Sequence, residues 1–339
     1  MKALTSSGLT FVRRLHTTLP RLAQKPLVKQ VDSAHRTAVD VDTFRQQAFQ
    51  PEKPLFISHG TDEPLSKLNA LTTWFEQDQD GRARLTLRVT EFEDAPFPYE
   101  LAAHQGDSMQ ALESFRDWLM TSGDFRDQIL AGTVQSVVGE ADGEQTFFQL
   151  YAPLRLLVKA IEYNGTQQDA SKPRMVQVYI AQSSLSDLPE ALQADVQPPD
   201  LTLKAGKGDI YASSIWLGTE PTFTPLHRDP NPNLFCQLHG TKLVRLLPPK
   251  IGEMLYFEVQ ARIRQEGSSR IRTAEGMMQG LERKVLEDAV WGDEVDLEEM
   301  REAKVEKGDA LFIPKGWWHS IRSWGSDGGL NASVNWWFR

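Results

Sequence analysis

Cysteine is nearly absent from this 339-residue chain, with Cys236 its single example. One thiol excludes an intramolecular disulfide framework and a multi-cysteine metal cluster, and it suits a reducing compartment. Long apolar runs are missing too. None approaches the eighteen residues that a spanning helix needs, so no membrane span is expected. Acidic residues are missing from positions 1–31, which hold Lys2, Arg13, Arg14, Arg21, Lys25 and Lys29. That arm carries +6. With 37 basic and 46 acidic residues in the whole chain, the remainder carries −15. Linkers rich in Ser, Gly or Pro are also lacking, as are internal repeats, so the chain after Ser33 reads as one compact unit.

What the arm does contain is instructive. Leu4, Phe11, Leu15, Leu19 and Leu22 recur near helical spacing, and Arg13, Arg14 and Arg21 fall mostly off that stripe. An acid-free, Arg-bearing amphipathic start without a long apolar core is the pattern of an organelle transit peptide. Residues 1–35 are therefore read as a mitochondrial presequence.

Residues 36–150 are read as a helix-rich N-terminal part. Phe44 with Ala48, and Met109, Leu112, Phe115 and Leu119, carry helical spacing. Residues 54–57 read as a short buried strand, and 85–89 and 175–181 alternate as strands do. From about 151 the texture becomes strand, turn, strand. Lys207-Gly208-Asp209 and Lys307-Gly308-Asp309 are turn signals. His239-Gly240-Thr241 between two apolar runs predicts a hairpin. Residues 252–306 are charged, with Met277, Leu281 and Val285 at helical spacing, and are read as a helical insertion. The expected fold is mainly β with covering helices, around a jelly-roll or barrel core at 151–339.

The chemistry concentrates in two stretches. In His227-Arg228-Asp229 the first and third side chains of a strand point the same way and can converge on one metal. His319, in Gly316-Trp-Trp-His-Ser-Ile, can supply a third ligand from a later strand. Two histidines and a carboxylate on one face of an octahedron form the ligand set of non-haem Fe(II) oxygenases. Such a centre keeps positions open for a bidentate 2-oxo acid and dioxygen.

The sequence around these residues sharpens that reading. TFTPLHRDPNPNLFCQLHGTKLVRLLPP (222–249) resembles the metal-binding strand pair of JmjC-type, cupin-fold 2-oxoglutarate oxygenases. GDALFIPKGWWHSIRS and NASVNWWF resemble the segments that follow in that family. FRQQAFQPEKPLFISHG (44–60) and VYIAQSSLSDLP (178–189) extend the resemblance upstream, from about residue 41 to the end. The resemblance implies a double-stranded β-helix that binds Fe(II) through His227, Asp229 and His319. It also implies that Lys242 pairs with the distal carboxylate of 2-oxoglutarate, assisted by Thr224 and Tyr179. Asn233 and Asn335 match polar residues near the cosubstrate. Asn331, Ser333 and Asn335 share one face of the last strand, and a polar face turned into a barrel suits a wet site. The tryptophans of the last 23 residues are read mainly as packing between barrel and helices.

The likeness is strongest to the hydroxylase branch, which includes the asparaginyl hydroxylase that inhibits hypoxia-inducible factor and uses Asp as its carboxylate ligand. The implied activity is hydroxylation of a protein side chain, with O2 consumed and succinate and CO2 released. A tRNA base and a methylated histone lysine are the alternative substrates. The −15 body disfavours nucleic acid, whose affinity rests on phosphate neutralisation. A catalytically silent cupin that binds a partner is the alternative from another class.

Overall fold

The computed structural model describes residues 28–34, 39–59, 68–102, 106–140, 147–167, 175–263, 278, 280–292 and 298–339. Of the residues read as a presequence, 1–27 and 35 lie outside the described residues, whereas 28–34 belong to the described fold and include the buried Val31. Two sheets face each other. The five-stranded sheet runs β1 (Lys29–Gln30), β13 (Arg301–Val305), β12 (Lys242–Leu247), β15 (Trp318–Ser323) and β10 (Phe223–Arg228). The nine-stranded sheet runs β2 (Ser33–Ala34), β3 (Leu55–Ile57), β14 (Ala310–Ile313), β11 (Asn233–His239), β16 (Leu330–Phe338), β9 (Ile210–Thr219), β8 (Val178–Ser184), β6 (Pro96–Ala102) and β7 (Phe147–Pro153). A separate two-stranded sheet joins β4 (Phe75–Gln77) and β5 (Ala83–Leu85). This is the expected jelly-roll core with covering helices.

Hydrophobic burial assembles three layers. The outer face of the large sheet (Leu101, Ile180, Leu217, Val334) packs under helices Gly106–Met120, Phe125–Glu140 and Arg155–Gln167 through Leu112, Phe115, Val134 and Leu157. Phe235, Leu311 and Ile313 of the large sheet meet Val244, Leu246, Ala303 and Val305 of the small one, closing one end of the barrel. The outer face of the small sheet is covered by helices Pro249–Ile263 and Gly280–Trp291, with Trp318 at the centre. Each element thus shows its period, 3.6 or 2, to one apolar layer.

Four expectations are corrected. Residues 85–89 are not one strand: β5 ends at Leu85 and Leu87–Thr90 form a helical turn. Leu85 and Val89 are buried and Leu87 is exposed, so i, i+4 spacing decides the conformation. The runs flanking His239-Gly240-Thr241 do not pair. β11 lies between β14 and β16, and β12 lies between β13 and β15, so the turn crosses from one sheet to the other. Each run is apolar enough to be buried in a different wall, and Gly240 at φ +70° makes the crossing. The helical excursion begins earlier than expected, at Pro249, and returns to strand at Arg301, because β13 completes the small sheet beside β12. Its apolar stripe is also displaced: Leu281 is exposed, Leu286 and Val290 are buried, and Met277 lies outside the described residues. Residues 36–150 hold helices, but they also place β3, β6 and β7 in the large sheet.

One glycine couples this scaffold to the site. Gly218 of β9 pairs with Tyr179 of β8 and Asn331 of β16. A Cβ there would stand 2.4 Å from the Val178 carbonyl oxygen and 2.6 Å from the Tyr179 ring. Gly218→Ala is expected to cost at least about 2 kcal/mol, since a packed sheet cannot yield that much space. Thermal unfolding checks the loss, and an unchanged melting temperature would contradict the packing.

Candidate metal centre

Three side chains converge where β10 ends and β15 begins. His227 is the penultimate residue of β10, Asp229 follows the strand, and His319 is second in β15. The two histidines are direct partners in the antiparallel register, with ring centroids 4.1 Å apart. His227 Nε2 lies 3.9 Å from Asp229 Oδ1, and His319 Nε2 lies 3.6 Å from Asp229 Oδ2. All three residues are buried. Among the described residues they are the one His/Cys/Asp/Glu group with metal-ligand spacing. The intervening outward positions explain why the strand presents them. Leu226 packs under the covering helices, and Arg228 lies over Trp318 beside Glu253.

The donor set fits a divalent ion. Two ligands each about 2.1 Å from one ion stand at most about 4.2 Å apart, and both nitrogen–oxygen separations fall within that limit. Each histidine donates from Nδ1 to the carbonyl two residues earlier, Pro225 at 2.8 Å and Trp317 at 3.2 Å. A carbonyl only accepts, so Nδ1 holds the proton and Nε2 keeps its lone pair for the centre. Burial, with His319 nearby, pushes His227 down to about 4, so its imidazole is neutral at neutral pH.

The carboxylate is also held. Trp337 Nε1 donates to Asp229 Oδ2 at 2.7 Å, and Asn233 Nδ2 donates to the same oxygen at 3.1 Å. Asn335 Nδ2 in turn donates to Asn233 Oδ1 at 3.2 Å. Asn233 therefore positions the ligand carboxylate as well as lining the cavity. Outer partners of metal ligands are typically worth 10- to 100-fold in affinity. Trp337→Phe, which removes the N–H and keeps an aromatic ring, is expected to weaken Mn(II) binding by about that factor. Calorimetric titration with Mn(II) checks it, and wild-type affinity would show that the indole bond is idle.

A narrow cavity runs from the three ligands to Lys242. Lys242 Nζ donates to Ser333 Oγ at 2.8 Å and to Tyr179 Oη at 3.1 Å. Burial pushes this ammonium down to about 7, partly offset by Glu220. Burial likewise pushes the Tyr179 phenol up. The ammonium makes both of its hydrogen bonds to neutral hydroxyls, so this end of the cavity suits an anion. Thr224, Tyr179, Asn233 and Asn335 line the same space, so every residue implied by the resemblance comes together. Thr224 does so through an irregularity. It stands three residues before His227, which strict alternation would place on the opposite face, and a register shift between the two brings both inward.

Sequence reasoning missed four wall residues. Trp337 follows Asn331, Ser333 and Asn335 at even spacing, so the polar face itself was the signal that it points inward. Phe235 and Ile321 lie two residues beyond Asn233 and His319 and could have been found the same way. Trp216 lines the cavity from β9 with a buried Nε1 that has no partner among the described residues, opposite Ser333 in register. No local pattern marks it, because the pairing that places it is long-range. His239 is no ligand and stacks on Phe75 at 4.8 Å. Gln182 adopts φ +52° beside an irregularity in the β8–β9 pairing.

A family model described as a cupin-like domain matches residues 43–339. Lysine-specific demethylase JMJ30 of Arabidopsis thaliana is 29% identical over 164 residues, 48% of this chain and 34% of that protein. Lysine-specific demethylase 8 of Danio rerio is 28% identical over 175 residues, 51% of this chain and 37% of that protein. Jumonji C domain-containing protein 5 of Drosophila melanogaster is 29% identical over 171 residues, 49% of this chain and 39% of that protein. The matched segment thus spans little more than a third of each of these relatives.

Proposed function

The chain belongs to the cupin-like (JmjC) family, and on that premise we propose that it is an Fe(II)- and 2-oxoglutarate-dependent oxygenase that hydroxylates a protein side chain. The observation that carries the reading is a single cavity with two histidines and an aspartate at one end and, at the other, a buried lysine hydrogen-bonded to two hydroxyls. Iron bound there would supply the coupling of O2 activation to oxidative decarboxylation of the 2-oxo acid, with succinate and CO2 as its products. His227, Asp229 and His319 would hold it. Lys242, with the Tyr179 and Thr224 hydroxyls, binds the distal carboxylate, and the apolar walls Phe235 and Ile321 exclude water around that pair. Asn335 Oδ1, buried and without a partner among the described residues, can accept from a bound water or ligand in the same space.

A protein substrate is preferred because the body after the arm is strongly acidic, which opposes a phosphate backbone. Among the described residues no helix is long and apolar enough to cross a membrane. Removal of a methyl group from a protein lysine is the second reading, favoured by the names of the relatives. The test is succinate release from 2-oxoglutarate by the full chain with and without Fe(II). Equal rates would overturn the enzyme reading in favour of a binding module. Product mass then separates the substrates: a gain of 16 Da on a protein supports hydroxylation, and a loss of 14 Da supports demethylation. The +6 arm is proposed as a mitochondrial address, and a diffuse cytosolic signal from residues 1–35 fused to a fluorescent reporter would remove that claim.

A further inference from the structure

A second cavity, of about 910 Å³, lies on the other side of Tyr179 and contains none of the three metal ligands. It opens between Glu100 and Tyr179 of the large sheet, Gln177 just before β8, Phe223 and Arg322–Ser323 of the small sheet with Thr222 just before β10, and the helix Gly280–Trp291. Two guanidiniums, Arg283 and Arg322, line it.

Each guanidinium is placed against an aromatic ring. Arg283 lies over the Phe223 ring at 4.7 Å, and Arg322 lies over the Trp291 ring at 4.2 Å. Trp291 is itself fixed, since its Nε1 donates to Ser320 Oγ at 2.9 Å. It also carries Arg245 at 4.6 Å, which is satisfied by Glu302 and the Val290 carbonyl. Stacking occupies the faces of a guanidinium, whereas its N–H donors radiate from the edge. Of those edge donors, one ends on a described residue: Arg283 Nη1 donates to Glu287 Oε2 at 3.0 Å. Arg283 Nε is buried and has no partner among the described residues. Arg322 donates to no described residue; burial and then Arg245 disfavour its charge, and Glu302 and Glu287 offset them in part.

Two carboxyls share the cavity, so formal charges balance, but the hydrogen bonds do not. Glu287 engages Arg283. Glu100 is lifted to about 7 by burial, so near neutrality it carries only about half of a counter-charge. Apolar Phe147, Phe223 and Met278 complete the lining, and the Ser323 hydroxyl beside them is occupied, donating to the Gly325 carbonyl at 3.0 Å.

We propose that this cavity binds a small organic oxyanion, a carboxylate or a phosphate monoester, held by the remaining N–H donors of Arg283 and Arg322 beside the Tyr179 wall. Two pre-oriented planar forks match the geometry of either oxyanion, and because stacking already holds them, little side-chain freedom is lost on binding. The volume exceeds what an inorganic ion fills, which is why an organic anion is favoured.

The test is calorimetry on the full chain with citrate and, separately, AMP as probes, using wild type, Arg283→Gln, Arg322→Gln and Lys242→Met. The expected result is that one or both probes bind wild type, that affinity drops at least tenfold in each arginine variant, and that Lys242→Met binds as wild type does. Citrate binding alone identifies a carboxylate ligand, and AMP binding alone a phosphate ligand. Failure of both probes to bind wild type overturns the proposal. So does binding that is kept in the arginine variants and lost in Lys242→Met, which places the anion in the other cavity. Circular dichroism of the glutamine variants confirms that they fold. The site does not depend on the oxygenase reading, because neither probe binding nor its arginine dependence requires Fe(II) or 2-oxoglutarate.

Discussion

Replacing Asp229 with alanine is expected to abolish Fe(II)-dependent succinate release, with a loss on the order of 10³-fold or more. A bound metal contributes several kcal/mol to the chemistry it supports, and each 1.4 kcal/mol is about tenfold in rate. Asp229 is the one anionic member of the set, and the two imidazoles alone are a weak and poorly oriented pair. Removing the carboxylate also strands two donors in a buried space, Trp337 Nε1 and Asn233 Nδ2, which each donate to Oδ2. Asp229→Asn is the companion variant, because it keeps volume while presenting a neutral amide. Both variants are expected to lose Mn(II) binding, read by titration, alongside turnover. Succinate release that persists at the wild-type rate in either would disprove the assignment of this residue to the metal.

Lys242→Met is the second large effect, and it divides into two opposing changes. Cosubstrate affinity is expected to fall about 100-fold, since truncating one partner of a buried charge pair costs 2–5 kcal/mol. Stability without cosubstrate is expected to rise. Burial pushes the folded pKa of Lys242 down to about 7, well below the value near 10.4 of an unfolded lysine. The unfolded chain therefore binds the proton more tightly, and the cost of folding around the ammonium is fully present below pH 7. It is relieved as pH rises from about 7 towards 10. The methionine variant is thus predicted to melt higher than wild type at pH 6, by an amount on the order of a few kcal/mol, with the gain shrinking by pH 10. Thermal unfolding at both pH values checks the sign, and a wild type more stable at pH 6 would contradict it. A buried cation kept at a cost to stability is what a site for an anion requires.

The two effects share one origin. The cavity is dry enough to strengthen every ion pair formed in it, and for the same reason every unpaired charge in it is expensive. Cosubstrate binding would remove the penalty at Lys242, so thermal protection by 2-oxoglutarate should be larger in wild type than in any variant at this position.

Much of this was legible in the residues themselves. His227 and Asp229 share a strand face because side chains alternate with period two, and that rule needs no tertiary information. The same rule made Asn331, Ser333 and Asn335 one face, and followed one step further it would have included Trp337. Turn chemistry at Gly208 and Gly308 was equally local, and both adopt positive φ, at +77° and +89°. The helical period was visible in Leu112, Phe115 and Leu119, which all lie in the main core.

Other features could not be read in advance, because they depend on which strand lies beside which. A turn such as His239-Gly240-Thr241 looks the same whether the chain returns to its neighbour or crosses to the opposite sheet. Only the competing hydrophobic layers decide, and here β11 and β12 are buried in different walls. The position of Thr224 required the register shift that overrides alternation before His227. Trp216 and the stacked arginines are positioned by partners far away in sequence. The sequence alone thus determined the ligand types, their spacing and the sheet-rich class, since these follow from residue chemistry and short-range period. The tertiary structure decided what surrounds them, including the indole bond to Asp229, the buried state of Lys242 and the second cavity behind Tyr179. Burial and long-range pairing are properties of the packed chain and of no single segment of it.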